Sequence, residues 1–521
     1  MKYITNKSKF LFLLLSVLSI PSLFAQEKGL DQQIDEAFKP FSDIISSIIF
    51  FEILGIPFVL ILLVGSALFF TIYFGFVNIR RFPTAINVVR GKYDELDESH
   101  GGKDSGESEE GEVTHFQALA TAVSGTVGNG NIAGVALAIA LGGPGATFWM
   151  VICGLLGMSS KFVECTLGVQ YRDVGEDGTI YGGPMYYISK GLKERGFTML
   201  GKVAAVFFAI FCIGGSFGGG NAAQSNQATI VLKDLMNLQS SAAGFWIGIV
   251  LAILVGIIII GGIKRIAQVT EKVVPFMAVM YVVACLYIIL SNFTLIDDAF
   301  ALIFAEAFNP TAIGVGSFIG VLLVGFKRAA FSNEAGAGSA SIAHSAVKTK
   351  YSASEGLVAL LEPFIDTVVI CTMTALVIVI FNFGGAFQYG GEGAVMIDGI
   401  SYEGAGITSK AFAQYIPFSD VFLTIAVVLF AVSTMISWSY YGLQSWKYLF
   451  GRGKAADLAY KLLFLTFVII GASASMNSIW AFSDAMIFAM VFPNMVGLFF
   501  LFPVVKKELN RYLKAIRTIE G

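Results

Sequence analysis

The sequence predicts an all-α integral membrane protein of about eleven transmembrane helices, one N-terminal helix followed by two sets of five. Three observations carry that prediction. The 521 residues are 56% hydrophobic and only 14% charged, where a soluble chain carries about 25% charged residues. Basic residues gather in alternate connections between long apolar stretches. Two of those stretches, in corresponding places of the two sets, are interrupted by glycine and asparagine. The net charge of -3, from 34 basic and 37 acidic residues, is an even balance that argues against nucleic acid as a partner and leaves membrane lipid as the surrounding medium.

The elements follow in chain order. Lys2, Lys7 and Lys9 precede an apolar run from Phe10 to Ile20, then Pro21 and the small residue Ala25. This run is too short for a bilayer core of about 30 Å, and its pattern is that of a signal peptide over residues 1–25. Residues 26–43 are then a periplasmic segment, and residues 44–78, with the uncharged stretch Ile53 to Asn78, form the extra N-terminal span. Residues 79–113 form a cytoplasmic loop whose part from Arg90 to Glu112 is dense in Asp, Glu, Gly and Ser. That composition cannot bury a core.

The first five-helix set covers residues 114–306. Its stretch Phe116 to Ser160 is long enough for two helices, turned at Gly142-Gly143-Pro144-Gly145, and is followed by Val203 to Leu232, Leu235 to Ile263 and Val273 to Ile296. The second set, residues 307–505, contains Ala307 to Phe326, Thr367 to Gly391, Val421 to Trp446, Leu462 to Ser483 and Ala485 to Val505; residues 506–521 are a tail. Arg80, Arg81 and Arg90, then Arg172, Lys190 and Lys193, then Lys264 and Arg265, then Lys348 and Lys350, then Lys447 and Arg452, and finally Lys506 and Lys507 mark one side. Intervening connections are nearly bare of Lys and Arg, so the positive-inside rule places the N-terminus outside and the C-terminus in the cytoplasm of a bacterial inner membrane.

The composition argues against several chemistries. Cys153, Cys165, Cys212, Cys285 and Cys371 stand singly in apolar surroundings, and His100, His115 and His344 are far apart without metal-ligand spacing. An intramembrane enzyme would need a nucleophile–base pair or a metal cluster. The chain contains no phosphate-binding loop of the GxxxxGK[ST] kind.

The first interruption reads Ser124-Gly125-Thr126-Val127-Gly128-Asn129-Gly130-Asn131. Glycine costs about 1 kcal/mol in a helix interior, and backbone groups freed within a membrane must be satisfied by protein or by a polar cavity. The alternative is a glycine-rich helix contact face. The second interruption reads Phe331-Ser332-Asn333-Glu334-Ala335-Gly336-Ala337-Gly338-Ser339. It is read either as a second broken helix or as a surface loop beyond a membrane edge at Lys327-Arg328. Paired breaks at corresponding positions point to a secondary transporter with inverted repeats, in which half-helix N-termini face an anionic group and exposed carbonyls a cation.

These residues resemble a known family. Val127 to Val135 with Gly142 to Gly145, then Gly182-Gly183-Pro184-Met185-Tyr186-Tyr187, Phe331 to Gly336, and Trp438-Ser439-Tyr440-Tyr441-Gly442 are similar to the motifs of the alanine or glycine:cation symporters, in the same order over nearly the whole chain. The resemblance implies a LeuT-type fold, a 5+5 inverted repeat with discontinuous helices and one extra N-terminal helix. It implies sodium-coupled uptake of small neutral amino acids, alanine or glycine, with sodium as coupling ion and no other cofactor. By the same resemblance the backbone N–H groups of Asn129 and Gly130 receive the substrate carboxylate, although the family usually has threonine at position 129. Gln224 reaches the substrate or makes an interhelical hydrogen bond, Trp438 walls the pocket or packs between helices, and Phe331 and Asn333 join the substrate site. Val127, Asn131, Ser433 and Thr434 are implied at the sodium site. An uncoupled or proton-coupled small-solute transporter or a channel is the alternative.

Acids within the spans stand at helical spacings. Glu362 and Asp366 are four residues apart on one helix face, and either help hold a cation or pair with Lys327 or Arg328. Lys161 and Glu164, three apart, read as a local ion pair.

Overall fold

The computed structural model describes residues 30–98, 111–310, 318–391 and 393–520. The expected signal peptide and most of the acidic stretch around residues 99–110 lie outside the described residues. Helix α1 (Leu30–Ile49) precedes α2 (Phe58–Tyr73), the apolar helix of the expected N-terminal span. The first set opens with α3 (His115–Thr126) and α4 (Val135–Gly142), joined by a π-helical turn over Gly130–Gly134. Helix α5 (Gly145–Gln170) follows at once. Gly143 takes the left-handed φ of +71° that the turn requires. A Cβ on Gly145 would overlap the backbone of Glu306 and Ala307, so close helix approach fixes that glycine as well.

The set continues through α6 (Pro184–Glu194), α7 (Thr198–Phe217), a π turn over Gly218–Ala222, α8 (Ala223–Met236), α9 (Ala243–Ile259), α10 (Gly262–Ser291) and α11 (Ile296–Phe308). The second set opens with α12 (Phe318–Asn333) and α13 (Ala340–His344), followed by α14 (Ser352–Val358), a π-helical stretch over Phe364–Cys371 and α15 (Thr372–Asn382). A hairpin of Ala394–Ile397 with Ile400–Glu403 and the short α16 (Ala405–Ala413) lead into α17 (Ser419–Phe450), α18 (Lys454–Ser473) and α19 (Met476–Glu520).

Seven of these helical runs among the described residues are long and apolar enough to cross a membrane, and the bent pair His115–Thr126 with Gly130–Gly142, kinked by 50°, makes an eighth. Phe58–Tyr73 and Ala243–Ile259 are apolar but shorter. The protein is therefore a multi-pass membrane protein. Broken helices sit at the centre: α3 packs on α10 and α17, and α5 packs on α12, α13 and α14.

Three span positions differ from the sequence reading. The stretch expected from Ala307 does not begin a helix there; Phe308 ends α11, and Asn309 leaves helical geometry before Pro310 because the residue preceding proline is driven toward extended backbone. The helical run expected from Thr367 starts at Ser352 and carries Glu355, Glu362 and Asp366 with it. The last turn lies at Ala474-Ser475 rather than near Asp484, which is inside α19. The last two share one cause: buried, paired charges look like span ends when charges are merely counted.

Candidate functional site

A capping box starts the first broken helix, the Thr114 hydroxyl accepting from the Gln117 N–H and the Gln117 side chain from the Thr114 N–H. Helix α3 stops at Thr126, Val127 turns to φ -74° and ψ 86°, and regular hydrogen bonding resumes only in the π turn. Asn131 bridges the gap. Its Oδ1 accepts from the Gly128 N–H at 2.9 Å, and its Nδ2 donates to the Asp366 carboxylate at 2.6 Å. A Cβ on Gly128 would overlap the Thr434 hydroxyl and lie 3.0 Å from Gln224 Oε1; here glycine is set by close approach.

Helix α17 supplies the facing surface. Thr434 Oγ1 donates to the Ser124 carbonyl at 3.0 Å, the Ser124 hydroxyl donates to the Ser433 carbonyl at 2.7 Å, and Ser433 Oγ donates to the Phe430 carbonyl at 2.9 Å. Val127, Ser433 and Thr434 are all buried. Three hydroxyls and three carbonyls thus gather beside the first break, the oxygen chemistry that suits a hard monovalent cation. Among the described residues no group of three His, Cys, Asp or Glu side chains is placed to hold a metal ion.

The second break is a buried feature, not a surface loop. Every residue from Phe331 to Ser339 is buried, and Glu334, Gly336 and Gly338 have φ of +55°, +93° and +90°. Lys327 and Arg328 lie within α12, and both pair with Asp484 of α19. The two breaks touch: a Cβ on Gly130 would be 3.5 Å from Ser332 Cα and 3.7 Å from Phe331 Cδ1. Ser332 Oγ donates to Asp366 Oδ2 at 2.9 Å, so Asp366 joins Asn131 of the first break to Ser332 of the second.

The implied substrate residues all lie around the breaks. The Asn129 N–H donates to Gln224 Oε1 at 2.9 Å, and Gln224 Nε2 donates to the Gly219 carbonyl at 2.9 Å. Gln224 therefore makes the interhelical bond, and it occupies the N–H expected to receive a carboxylate. Trp438 is fully buried, its indole N–H donating to Glu334 Oε1 at 2.9 Å while its ring closes on Gly215 and Gly220. Phe331 stacks on Trp480 at 5.0 Å with Arg328 over both rings. The Asn333 side chain turns away to Thr367 and to the Ala335 N–H.

The buried acids do not pair as spacing suggested. Lys161 Nζ bonds Glu362 Oε1 at 3.0 Å, with both side chains fully buried, whereas Glu164 accepts from Asn494 Nδ2 at 2.8 Å. Glu362 pairs with neither Lys327 nor Arg328, and Asp366 bonds Asn131, Ser332 and Thr367. His344 Nδ1 lies 2.5 Å from Glu355 Oε1, and His115 Nδ1 bonds the other oxygen of Glu355. The Lys161–Glu362 and Glu164–Asn494 contacts join residues far apart in sequence, which local spacing cannot reveal. Glu334 is the residue that the sequence reading leaves out of the site, and Asp366 is one it leaves open between a cation and an ion pair; a carboxylate inside a broken, apolar segment is the signal for both.

A multi-pass membrane chain in which two interrupted helices meet, with polar groups gathered at the meeting point, has the architecture of a secondary transporter. The chain belongs to the sodium:alanine symporter family, whose sequence profile matches residues 41–520. It is 40% identical to the sodium/alanine symporter AgcS of Methanococcus maripaludis over 88% of this chain and 94% of that relative. It is also 31% identical to the probable sodium/glutamine symporter GlnT of Bacillus subtilis over 89% of each. Among solved structures, MhsT in complex with L-phenylalanine matches with a TM-score of 0.50 and 14% identity, over 77% of this chain and 100% of that one, a likeness of fold.

Proposed function

We propose that the protein is a sodium-coupled importer of small neutral amino acids, alanine or glycine first. The observation that carries this reading is the contact of the two breaks at Gly130 and Ser332, with Asp366 bonded to both sides. In this reading the substrate carboxylate takes the N–H groups of Asn129 and Gly130 at the start of a half-helix, where the helix dipole favours an anion. Gln224 Oε1 yields the Asn129 N–H to it and turns to the substrate. Trp438 and Phe331 bound the space left for a side chain, and Asn333 holds the second break against Thr367. Sodium is held by carbonyl and hydroxyl oxygens around Val127, Ser433 and Thr434, and by Asn131, which is bonded to the Asp366 carboxylate. Family membership and the symporter relatives support sodium and alanine; a pocket of this kind separates substrates differing by one methylene by only about 1–3 kcal/mol.

The two repeats rock against each other to alternate access, in a bacterial inner membrane with the N-terminus outside and the C-terminus cytoplasmic, as the distribution of Lys and Arg supports. Uptake of labelled alanine and glycine into proteoliposomes, with and without an inward sodium gradient, tests the reading. Gradient-dependent accumulation is expected. Equal uptake without sodium would refute the coupling, and no uptake of any small amino acid would refute the substrate class.

A further inference from the structure

We infer that Glu334 is the counter-charge for the ammonium group of the transported amino acid, and so makes the protein select amino acids over the isosteric α-hydroxy acids. The inference rests on the proposed amino-acid substrate and adds the group that reads its positive end.

Glu334 is the first residue beyond α12, 3% exposed, and held at a left-handed φ of +55°. Residues with a Cβ are strained there, and such strain persists where the surroundings hold it. Its carboxylate has two hydrogen-bond donors, the Trp438 indole N–H at 2.9 Å and the Ser339 hydroxyl at 2.5 Å. Both are neutral. A carboxylate has about four acceptor positions, so each oxygen retains capacity for a further donor. Burying a carboxylate is costly unless an opposite charge compensates it.

The neighbouring cations are committed elsewhere. Lys161, within electrostatic reach of Glu334, is bonded to Glu362; Arg328 and Lys327 pair with Asp484; His344 and His115 flank Glu355. Asp366 is taken up by Asn131, Ser332 and Thr367. Glu334 is thus the acid at the breaks whose hydrogen bonds come wholly from one wall residue of the site and its own turn. The C-terminal end of α12, whose dipole favours a cation, ends beside it. The start of the π turn that favours an anion lies against Phe331 and Ser332 of the same helix end. A preference for positive charge at Glu334 and a preference for negative charge at Gly130 therefore meet at the same end of α12.

The test is competition against labelled L-alanine uptake in proteoliposomes of the full chain under an inward sodium gradient. L-lactate, which keeps the carboxylate and the methyl group but lacks the ammonium, should not compete with the wild type even at about 100-fold excess. Glu334→Gln, whose amide oxygen still accepts from the indole, should raise the alanine KM by about tenfold or more, as loss of a buried ion pair does, and should erase most of the preference over lactate. Trp438→Phe removes the indole donor but leaves the charge, and should lower uptake while keeping the preference. Lactate competing as well as alanine in the wild type would overturn the inference without any variant. So would an unchanged alanine KM in Glu334→Gln, or a loss of preference in Trp438→Phe equal to that in Glu334→Gln. A higher sodium requirement in Glu334→Gln with the alanine preference intact would instead reassign the carboxylate to the cation. Absence of alanine uptake by the wild type would refute the substrate reading itself, a separate result.

Discussion

Removing the Lys161 ammonium should be among the most damaging single changes outside the site. Lys161 of α5 and Glu362, between α14 and the π-helical stretch, are both fully buried with Nζ 3.0 Å from Oε1. At that separation two unit charges attract by about 5 kcal/mol at an effective dielectric near 20. Desolvation offsets much of that attraction, so the pair itself adds little; an orphaned partner is what costs. Lys161→Met leaves Glu362 facing His344 Nε2 at 3.6 Å, a contact too long for a good hydrogen bond. The expected loss is about 3–5 kcal/mol, a large part of an ordinary folding stability of about 5–15 kcal/mol. Lys161→Met with Glu362→Met removes both charges and should return to within about 2 kcal/mol of the wild type. Thermal unfolding of purified protein in one detergent at one scan rate, followed by tryptophan fluorescence, reads the cycle. A single variant melting like the wild type, or a double variant as unstable as the two singles added together, would refute the argument.

Three further outcomes are expected. Ser433→Ala with Thr434→Ala removes the hydroxyls bonded to the Phe430 and Ser124 carbonyls. It should raise the sodium concentration for half-maximal uptake by about tenfold or more at a stability cost near 2 kcal/mol; an unchanged sodium response would take both residues out of the cation site. Gly128→Ala places a methyl group against the Thr434 hydroxyl and Gln224 Oε1, an overpacking cost of about 1–3 kcal/mol, and should abolish uptake in protein that is still recovered folded. Full uptake would show that the break has room to spare. Outside the spans, the Arg452 guanidinium, 2.5 Å away, holds the Asp173 carboxyl below its ordinary 3.8. A lowered pKa favours the folded state above about pH 4, and that contribution is lost as pH falls through the folded value. Asp173→Asn should therefore lose less melting temperature than the wild type between pH 5 and pH 3, and an equal loss would refute the pairing.

Much of the plan was legible because it depends on local chemistry. Long uncharged stretches and the glycines and asparagines from Gly128 to Asn131 mark spans and a broken helix wherever they occur, since helix propensity and hydropathy are properties of short segments. The second break was ambiguous because Lys327 and Arg328 precede it. Their partner Asp484 is more than 150 positions away, and without it the pair reads as a membrane edge. Asp484 reads as a turn for the same reason. Glu362 and Asp366 sit four apart yet serve different partners, Lys161 and Asn131, because a π-helical stretch intervenes and each faces a different helix.

That this chain is a membrane protein of many spans, that its helix after Thr114 breaks near Gly128, and that it carries its family's ordered motifs can all be read from the residues, since apolar length and backbone freedom are written residue by residue. Tertiary structure alone decided that the two breaks touch at Gly130 and Ser332, that Gln224 covers the Asn129 N–H, and that Trp438 donates to Glu334. Those contacts depend on which helices pack together, and a buried polar group takes whichever partner packing brings within hydrogen-bond reach.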